Sequence, residues 1–357
     1  MTADTVGGVW TYALELARAL APLDVFLDLA TMGALPTPTQ REEAGRVANL
    51  ALHSSAFQLE WMADPWDDVR RAGDWLLDLE ARLQPDVIHL NGYVHGSLPW
   101  RAPVVTVGHS CVLSWWQAVK SEAAPAEWNR YREEVRRGLR AADLVLAPTQ
   151  AMLDALQTHY GPLPPSRVVP NGRDPALFPS SQKEPFILTA GRLWDEAKNV
   201  GALAQVAASL EWPVTVAGEQ RHPEGGDLCP PSVRALGCLS PGHLAGWLAR
   251  ASIYALPARY EPFGLSALEA GLAGCALVLG DIPSLREVWG EAALFVPPDD
   301  ADALRRALQS LIDNPDRRSR MAERAQTRAR QYTPGRMAAG YVAAYGQVGA
   351  KEAAPCA

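Results

Sequence analysis

The sequence is poor in lysine, in long apolar stretches and in metal-binding cysteine spacings. Apolar runs such as 274–279 stay far below the roughly 20 residues needed to cross a bilayer, so no transmembrane segment is expected. The first residues are polar and glycine-containing and lack the basic-then-apolar order of a secretion leader, which points to a cytoplasmic address. A peripheral position at the inner membrane face is the variant of that expectation. The five cysteines, Cys111, Cys229, Cys238, Cys275 and Cys356, form an odd set with no C-x-x-C pair and are expected to be reduced, buried small hydrophobes. No histidine–cysteine cluster has zinc spacing, so no metal is expected. A net charge of −7 disfavours nucleic acid as a partner, because that needs a broad basic face.

What is present is the material of an α/β enzyme. A chain of 357 residues, 48% hydrophobic and 20% charged, exceeds the size at which one core usually keeps growing, so two domains are expected. Short buried strands at 25–30, 87–91, 104–107 and 144–147 alternate with amphipathic helices at 8–20, 67–83 and 127–141. That is the pattern of a parallel, doubly wound sheet. Six prolines and the turn pair Asn171-Gly172 within 161–179 then mark a connection. The alternation resumes with strands at 186–190, 214–217, 253–256 and 276–279 and two helices across 301–330. The division read from this is 1–175, 176–333, and a C-terminal helix with a loose tail at 334–357 that can cross back to the first domain.

One element is out of place. A doubly wound domain begins on a central apolar strand, yet only Met1 to Val6 precedes the first glycine–helix unit. The central strand is expected to be missing or stunted, leaving unpaired ladder groups at about 1–3 kcal/mol each. The natural start is accordingly expected upstream of Met1.

The strongest chemical signal lies at 259–271, where Glu261 and Glu269 stand eight positions apart around Pro262 and Gly264. Pro262 suits the first turn of a helix, so the amides near Phe263, Gly264 and Leu265 are expected among its unpaired donors, a natural phosphate site. Glu269, further along, could accept from two vicinal ribose hydroxyls, while Glu261 stays in the loop. The plain alternative is that Glu261 merely complements the helix dipole and Glu269 is solvated. A second signal, 191–199, follows a strand. Arg192 and Lys198, six positions apart, could converge on a diphosphate, one as a fork and one as a point charge. Only 4 of the 33 basic residues are lysine, so a lysine at 198 suggests a specific need. A surface ion pair with Asp195 or Glu196 is the alternative. Gly7 and Gly8, at a helix N-terminus, would let backbone approach a diphosphate.

The stretch from Arg259 to Gly271 closely resembles the E-x7-E signature of the family 4 retaining glycosyltransferases. The likeness extends through 274–288 and covers nearly the whole chain, from the Gly7-Gly8 helix start through 170–172 to 295–300. The resemblance implies a GT-B fold, with two Rossmann-like doubly wound domains facing each other across a cleft, the first on the acceptor side and the second binding the donor. It implies metal-independent transfer of a sugar, with retention, from a nucleoside-diphosphate sugar to an acceptor hydroxyl. The donor is a co-substrate, and no further cofactor is expected. Glu261, Arg192, Lys198 and His109 would be catalytic, with His109 against the transferred sugar. Glu269, Phe263, Gly264, Leu265, Gly7 and Gly8 would bind substrate.

Asn91, Tyr93, His95 and Trp115-Trp116 could shape the acceptor side, although paired tryptophans are more often packing. The run Arg130, Arg132, Arg136, Arg137 and Arg140 could meet an anionic acceptor or lipid, but with Glu133 and Glu134 interleaved it also reads as a solvated helix face. The acceptor is open among sugar, lipid and small molecule. The alternatives to a transferase are a noncatalytic nucleotide-sugar-binding protein and a nucleotide-sugar epimerase.

Overall fold

The computed structural model describes residues 1–5, 7–219 and 232–349. Two compact units result, one of Met1–Gln117, Glu122–Gly172 and Pro334–Ala357, the other of Ala118–Ser121 and Arg173–Thr333. Cys229 and Cys356, and the tail beyond residue 349, lie outside the described residues.

The first unit runs β1 (Thr2–Asp4), α1 (Gly8–Leu20), β2 (Leu27–Met32), α2 (Pro38–Gly45), β3 (Leu50–Ser54), α3 (Trp66–Leu83), β4 (Ile88–Leu90), β5 (Val104–Val107), α4 (Val112–Lys120), α5 (Asn129–Ala141), β6 (Leu144–Ala147), α6 (Gln150–Tyr160) and β7 (Ser166–Val168). All its strand pairs are parallel, in two sheets ordered β1-β2-β3 and β4-β5-β6-β7. β5 and β6 are buried along their whole length, as valine- and leucine-rich strands covered on both faces must be. In α5 the buried Tyr131, Val135, Gly138 and Leu139 recur at three- and four-residue spacing, while Arg136 pairs with Glu133 and Arg137 with Glu134 on the outer face. Thr149 caps α6 by accepting from the Met152 amide at 3.2 Å.

The first strand, expected to be missing or stunted, is a three-residue stub. It pairs with β2, Thr2 opposite Ala30. On its other side Asn91 Nδ2 donates to the Thr2 carbonyl at 2.7 Å, and the Asn91 amide donates to Thr2 Oγ1 at 2.9 Å. One asparagine thus serves where a longer ladder would stand. β2 begins two residues later than expected, with Phe26 left 62% exposed. β3, β7 and α2 were not expected, because their short segments carry little apolar periodicity; β7 is made a strand by its pairing with β6.

The second unit runs β8 (Glu184–Ala190), α7 (Val200–Ala207), β9 (Val214–Ala217), β10 (Arg234–Ala235), α8 (Pro241–Arg250), β11 (Ala251–Leu256), α9 (Leu265–Leu272), β12 (Ala276–Gly280), α10 (Pro283–Trp289), β13 (Leu294–Val296), α11 (Ala301–Ile312) and α12 (Pro315–Ala329). Among the described residues its six strands are all parallel in the order β10-β9-β8-β11-β12-β13. The order reverses between β8 and β11, the place where open α/β sheets take ligands beyond their carboxyl ends. The last helix, α13 (Pro334–Gln347), belongs to the first unit and packs on α1 through Met337, Ala338, Tyr341 and Tyr345. Among the described residues no helix is long and apolar enough to cross a membrane. Cys111 and Cys275 are buried as expected, whereas Cys238 is exposed at a loop and donates to Glu219.

Candidate functional site

The two motif loops of the second unit follow β8 and β11, the neighbouring strands at the order reversal. They are clasped to each other by backbone and side chain. The Arg259 amide donates to the Ala197 carbonyl at 2.9 Å. Asn199, in the left-handed region at φ 55°, donates through Nδ2 to the Pro257 and Pro298 carbonyls at 2.9 and 2.7 Å. Asp195 caps the short turn 196–198 by accepting from the Ala197 amide at 3.0 Å. These ties bring Lys198 Nζ to Glu261 Oε2 at 2.5 Å, both side chains mostly buried.

Glu261 in turn spans the helix entrance. Its Oε1 accepts from the Gly264 amide at 3.0 Å, and Ser284 Oγ donates to its carbonyl at 2.5 Å. The helix α9 begins at Leu265, not at Pro262 as expected, because Gly264 takes a left-handed φ of 89° that interrupts the turn. A Cβ on Gly264 would also sit 3.2 Å from Leu285 Cδ2. Phe263 is a core residue, its ring edge-on to Tyr332 at a centroid distance of 5.5 Å, so only its backbone is available to a ligand. Leu265 packs partly against the same core.

Glu269 is not a solvated helix residue. It is buried in α9, its Oε1 2.9 Å from Arg173 Nε, and the Arg173 guanidinium also lies over the Phe178 ring at 5.1 Å. Arg173 escaped the sequence reading. It follows the Asn171-Gly172 turn, where an arginine looks like linker, and the only available signal was that Glu269 would need a buried cation.

Arg192 and Lys198 each pair with a carboxylate of their own. Arg192, its side chain 38% exposed, pairs with the buried Asp195 at 3.0 Å and lies 5.3 Å over the Trp194 ring. The plain alternative therefore describes Arg192 as it stands, while Lys198 chooses Glu261 over Asp195 or Glu196. A cavity of about 490 Å³ opens beside this loop, lined by Trp194, Asp195, Asn199, Gln205, Arg259 and Asp299 among others.

In the first unit, Gly7 and Gly8 stand exposed at the start of α1, Gly7 as its cap at φ 100°, which only glycine adopts without strain. His109 follows β5. Its Nε2 lies 2.9 Å from Asn91 Oδ1, the Tyr12 ring is edge-on at 4.5 Å, and burial pushes its imidazole down to about 4. Tyr93 and His95, expected on the acceptor side, turn inward: the Tyr93 hydroxyl donates to the Ser110 carbonyl at 2.7 Å, and His95 Nε2 donates to the Val69 carbonyl at 2.9 Å. Trp115 and Trp116 are half-buried and edge-to-face with each other. The chain's one Asp-x-Asp, Asp300-Ala301-Asp302, serves as a helix cap: Asp300 accepts from the Ala303 amide at 2.8 Å. Among the described residues, no group of three or more acidic, histidine or cysteine side chains could hold a metal ion.

Two family profiles match: "Glycosyltransferase Family 4" over residues 6–177 and "Glycosyl transferases group 1" over residues 173–328. The glycogen synthase of Mycobacterium tuberculosis is 26% identical, over 90% of this chain and 86% of its own. The D-inositol 3-phosphate glycosyltransferase of Kribbella flavida is 28% identical, over 91% and 87%. Among solved structures, sucrose-phosphate synthase from Thermosynechococcus elongatus superposes with a TM-score of 0.79 at 18% identity, covering 97% of this chain and 95% of that one. Anabaena HepE in complex with UDP-glucose superposes at 0.76 and 16% identity, covering 97% and 100%.

Proposed function

The chain belongs to the family 4 glycosyltransferases and has their GT-B fold, and from that premise we propose that it transfers a sugar from a nucleoside-diphosphate sugar to an acceptor hydroxyl, with retention and without a metal. The observation that carries this reading is the meeting of Lys198, Glu261 and the entrance of α9 at the order reversal of the second unit's sheet.

In this reading the diphosphate lies at the α9 entrance, where helix amides and dipole favour an anion. Lys198 exchanges its carboxylate partner for the diphosphate and offsets the charge that builds on it as the sugar departs. Arg192, released from Asp195, adds a second cation. Each such charge is worth on the order of 3 kcal/mol in the transition state, judged by the loss of a single oxyanion donor. Glu261 holds Lys198 and the Gly264 amide in place before the donor arrives, and Glu269 takes the ribose. The acceptor oxygen attacks on the side from which the diphosphate leaves, and a donor phosphate oxygen takes its proton. No side chain forms a bond to the sugar; the protein supplies placement and electrostatics. HepE's complex with UDP-glucose makes that sugar nucleotide the first donor to try.

Thermal-shift measurements against uridine, guanosine and adenosine diphosphate sugars identify the donor, since saturation a hundredfold above Kd adds about 2.7 kcal/mol. NMR of the product formed with EDTA present then tests the chemistry. Retained anomeric configuration and undiminished rate support the proposal. Inversion, or loss of rate in EDTA, removes its mechanism; release of epimerised donor makes the protein an isomerase; binding without breakdown makes it a noncatalytic binder.

A further inference from the structure

A chain of hydrogen bonds inside the first unit leads from the last helix to His109. Tyr345 of α13 places its hydroxyl 2.7 Å from His89 Nδ1. His89 Nε2 and His109 Nε2 both point at one atom, Asn91 Oδ1, at 3.1 and 2.9 Å. The amide of Asn91 has only one chemically sensible orientation. Its other terminal atom lies 2.7 Å from the Thr2 carbonyl oxygen, which can only accept, so that atom must be the NH2 nitrogen. The oxygen then faces the two rings, and an amide oxygen offers no proton.

From this geometry we infer that Asn91 is a positioning residue that locks His109 in the Nε2–H tautomer. Both imidazoles must supply the proton in their bonds to Asn91, which leaves Nδ1 bare on each neutral ring. At His89 that bare nitrogen receives the Tyr345 hydroxyl. At His109 no polar atom among the described residues pairs with Nδ1. Burial holds both imidazoles in the neutral form, His109 at about 4 and His89 well below its ordinary value. The groups packed about the pair are the phenols of Tyr12, Tyr341 and Tyr345, all kept protonated by burial, and the Met1 amine, whose positive charge opposes a second charge on His89 and so also favours the neutral ring.

The consequence is a polarity for the site. A ligand group meeting His109 at Nδ1 must donate, as a sugar hydroxyl does, and an ether, fluorine or carboxylate oxygen there is refused. His109 also has no proton to give at that nitrogen, so it orients and does not act as an acid. This consequence for the ligand rests on the sugar-transfer reading; the tautomer itself does not.

The test is two-bond 1H–15N correlation NMR on 15N-histidine-labelled protein, with His109→Gln assigning the resonance. In the parent chain at pH 7, His89 and His109 should both be neutral Nε2–H. Asn91→Leu should let His109 populate both tautomers. Asn91→Asp, which keeps the shape if the leucine variant fails to fold, should raise the His109 titration by about one pH unit or more through the new adjacent charge. An Nδ1–H signal for His109 in the parent chain, an unchanged single tautomer in Asn91→Leu, or an unmoved titration in Asn91→Asp overturns the inference. A correct tautomer with no shift on adding UDP-glucose or the guanosine and adenosine sugars supports it and defeats only the transferase reading.

Discussion

Glu261 and Glu269 stand eight positions apart in the chain, yet each is held by a cation from a different segment: Lys198 for the first, Arg173 for the second. A buried pair gains little net stability over an apolar pair, but removing one member strands the other. Arg173→Met should therefore cost about 3 kcal/mol in urea unfolding, and adding Glu269→Leu should restore most of that loss. If Glu269 holds the donor ribose, the double variant folds well and still fails to bind donor. Recovery of donor affinity along with stability would show that the glutamate is structural. Lys198→Ala likewise should lower kcat by about 100-fold or more at little change in donor Kd. A loss confined to Kd would remove its role on the leaving group.

At the scale of elements, the entrance of α9 shows how a glycine sets geometry that a pattern cannot. Gly264 at φ 89° delays the helix by three residues and turns its own amide toward Glu261. Gly264→Ala should cost about 1–2 kcal/mol from the left-handed backbone alone, with more from the contact at Leu285. Calorimetry should show a lowered Tm, and donor affinity should fall with it; an unshifted Tm would mean that the turn is not strained. The strands β5, β6 and β9 were legible to the residue, because a short run rich in valine, leucine and threonine between turns favours a buried strand. β1, β3 and β7 were not. Their short segments acquire strand form from neighbours that are distant in sequence, as β1 does from β2 and Asn91.

Over the whole molecule, the end of the chain completes the core of its beginning. Tyr341 of α13 is 1% exposed within the cluster that holds Tyr12, Leu16 and Leu29, and its ring stacks on His89 at 5.3 Å. Tyr341→Ala should cost about 3–5 kcal/mol and unfold the first unit ahead of the second in a heat scan; a single unshifted transition would refute that dependence. The same unit carries the acid sensitivity. His89, His95 and His109 are all held below their ordinary value by burial, so the unfolded chain takes up protons that the folded chain refuses. Their contribution is complete above about 6.5 and is lost as pH falls toward the His109 value of about 4. Glu60 works in the opposite sense: burial raises it to about 7, so its contribution grows as pH falls through that value. Urea midpoints measured from pH 7.5 to 4.5 should thus fall below 6.5, three histidines outweighing one glutamate. A midpoint that rises on acidification would reverse the balance.

The amino-acid sequence by itself determined the α/β alternation and the placing of both motifs on strand ends. Each of these is written in local order: periodicity, turn residues, and charges within ten positions of a strand. Tertiary structure alone decided the partners. Arg173 against Glu269, Lys198 against Glu261, and Asn91 between two histidines each join groups that only packing brings together. A buried charge or amide must find its partner wherever the fold puts one, and sequence distance gives no measure of that search.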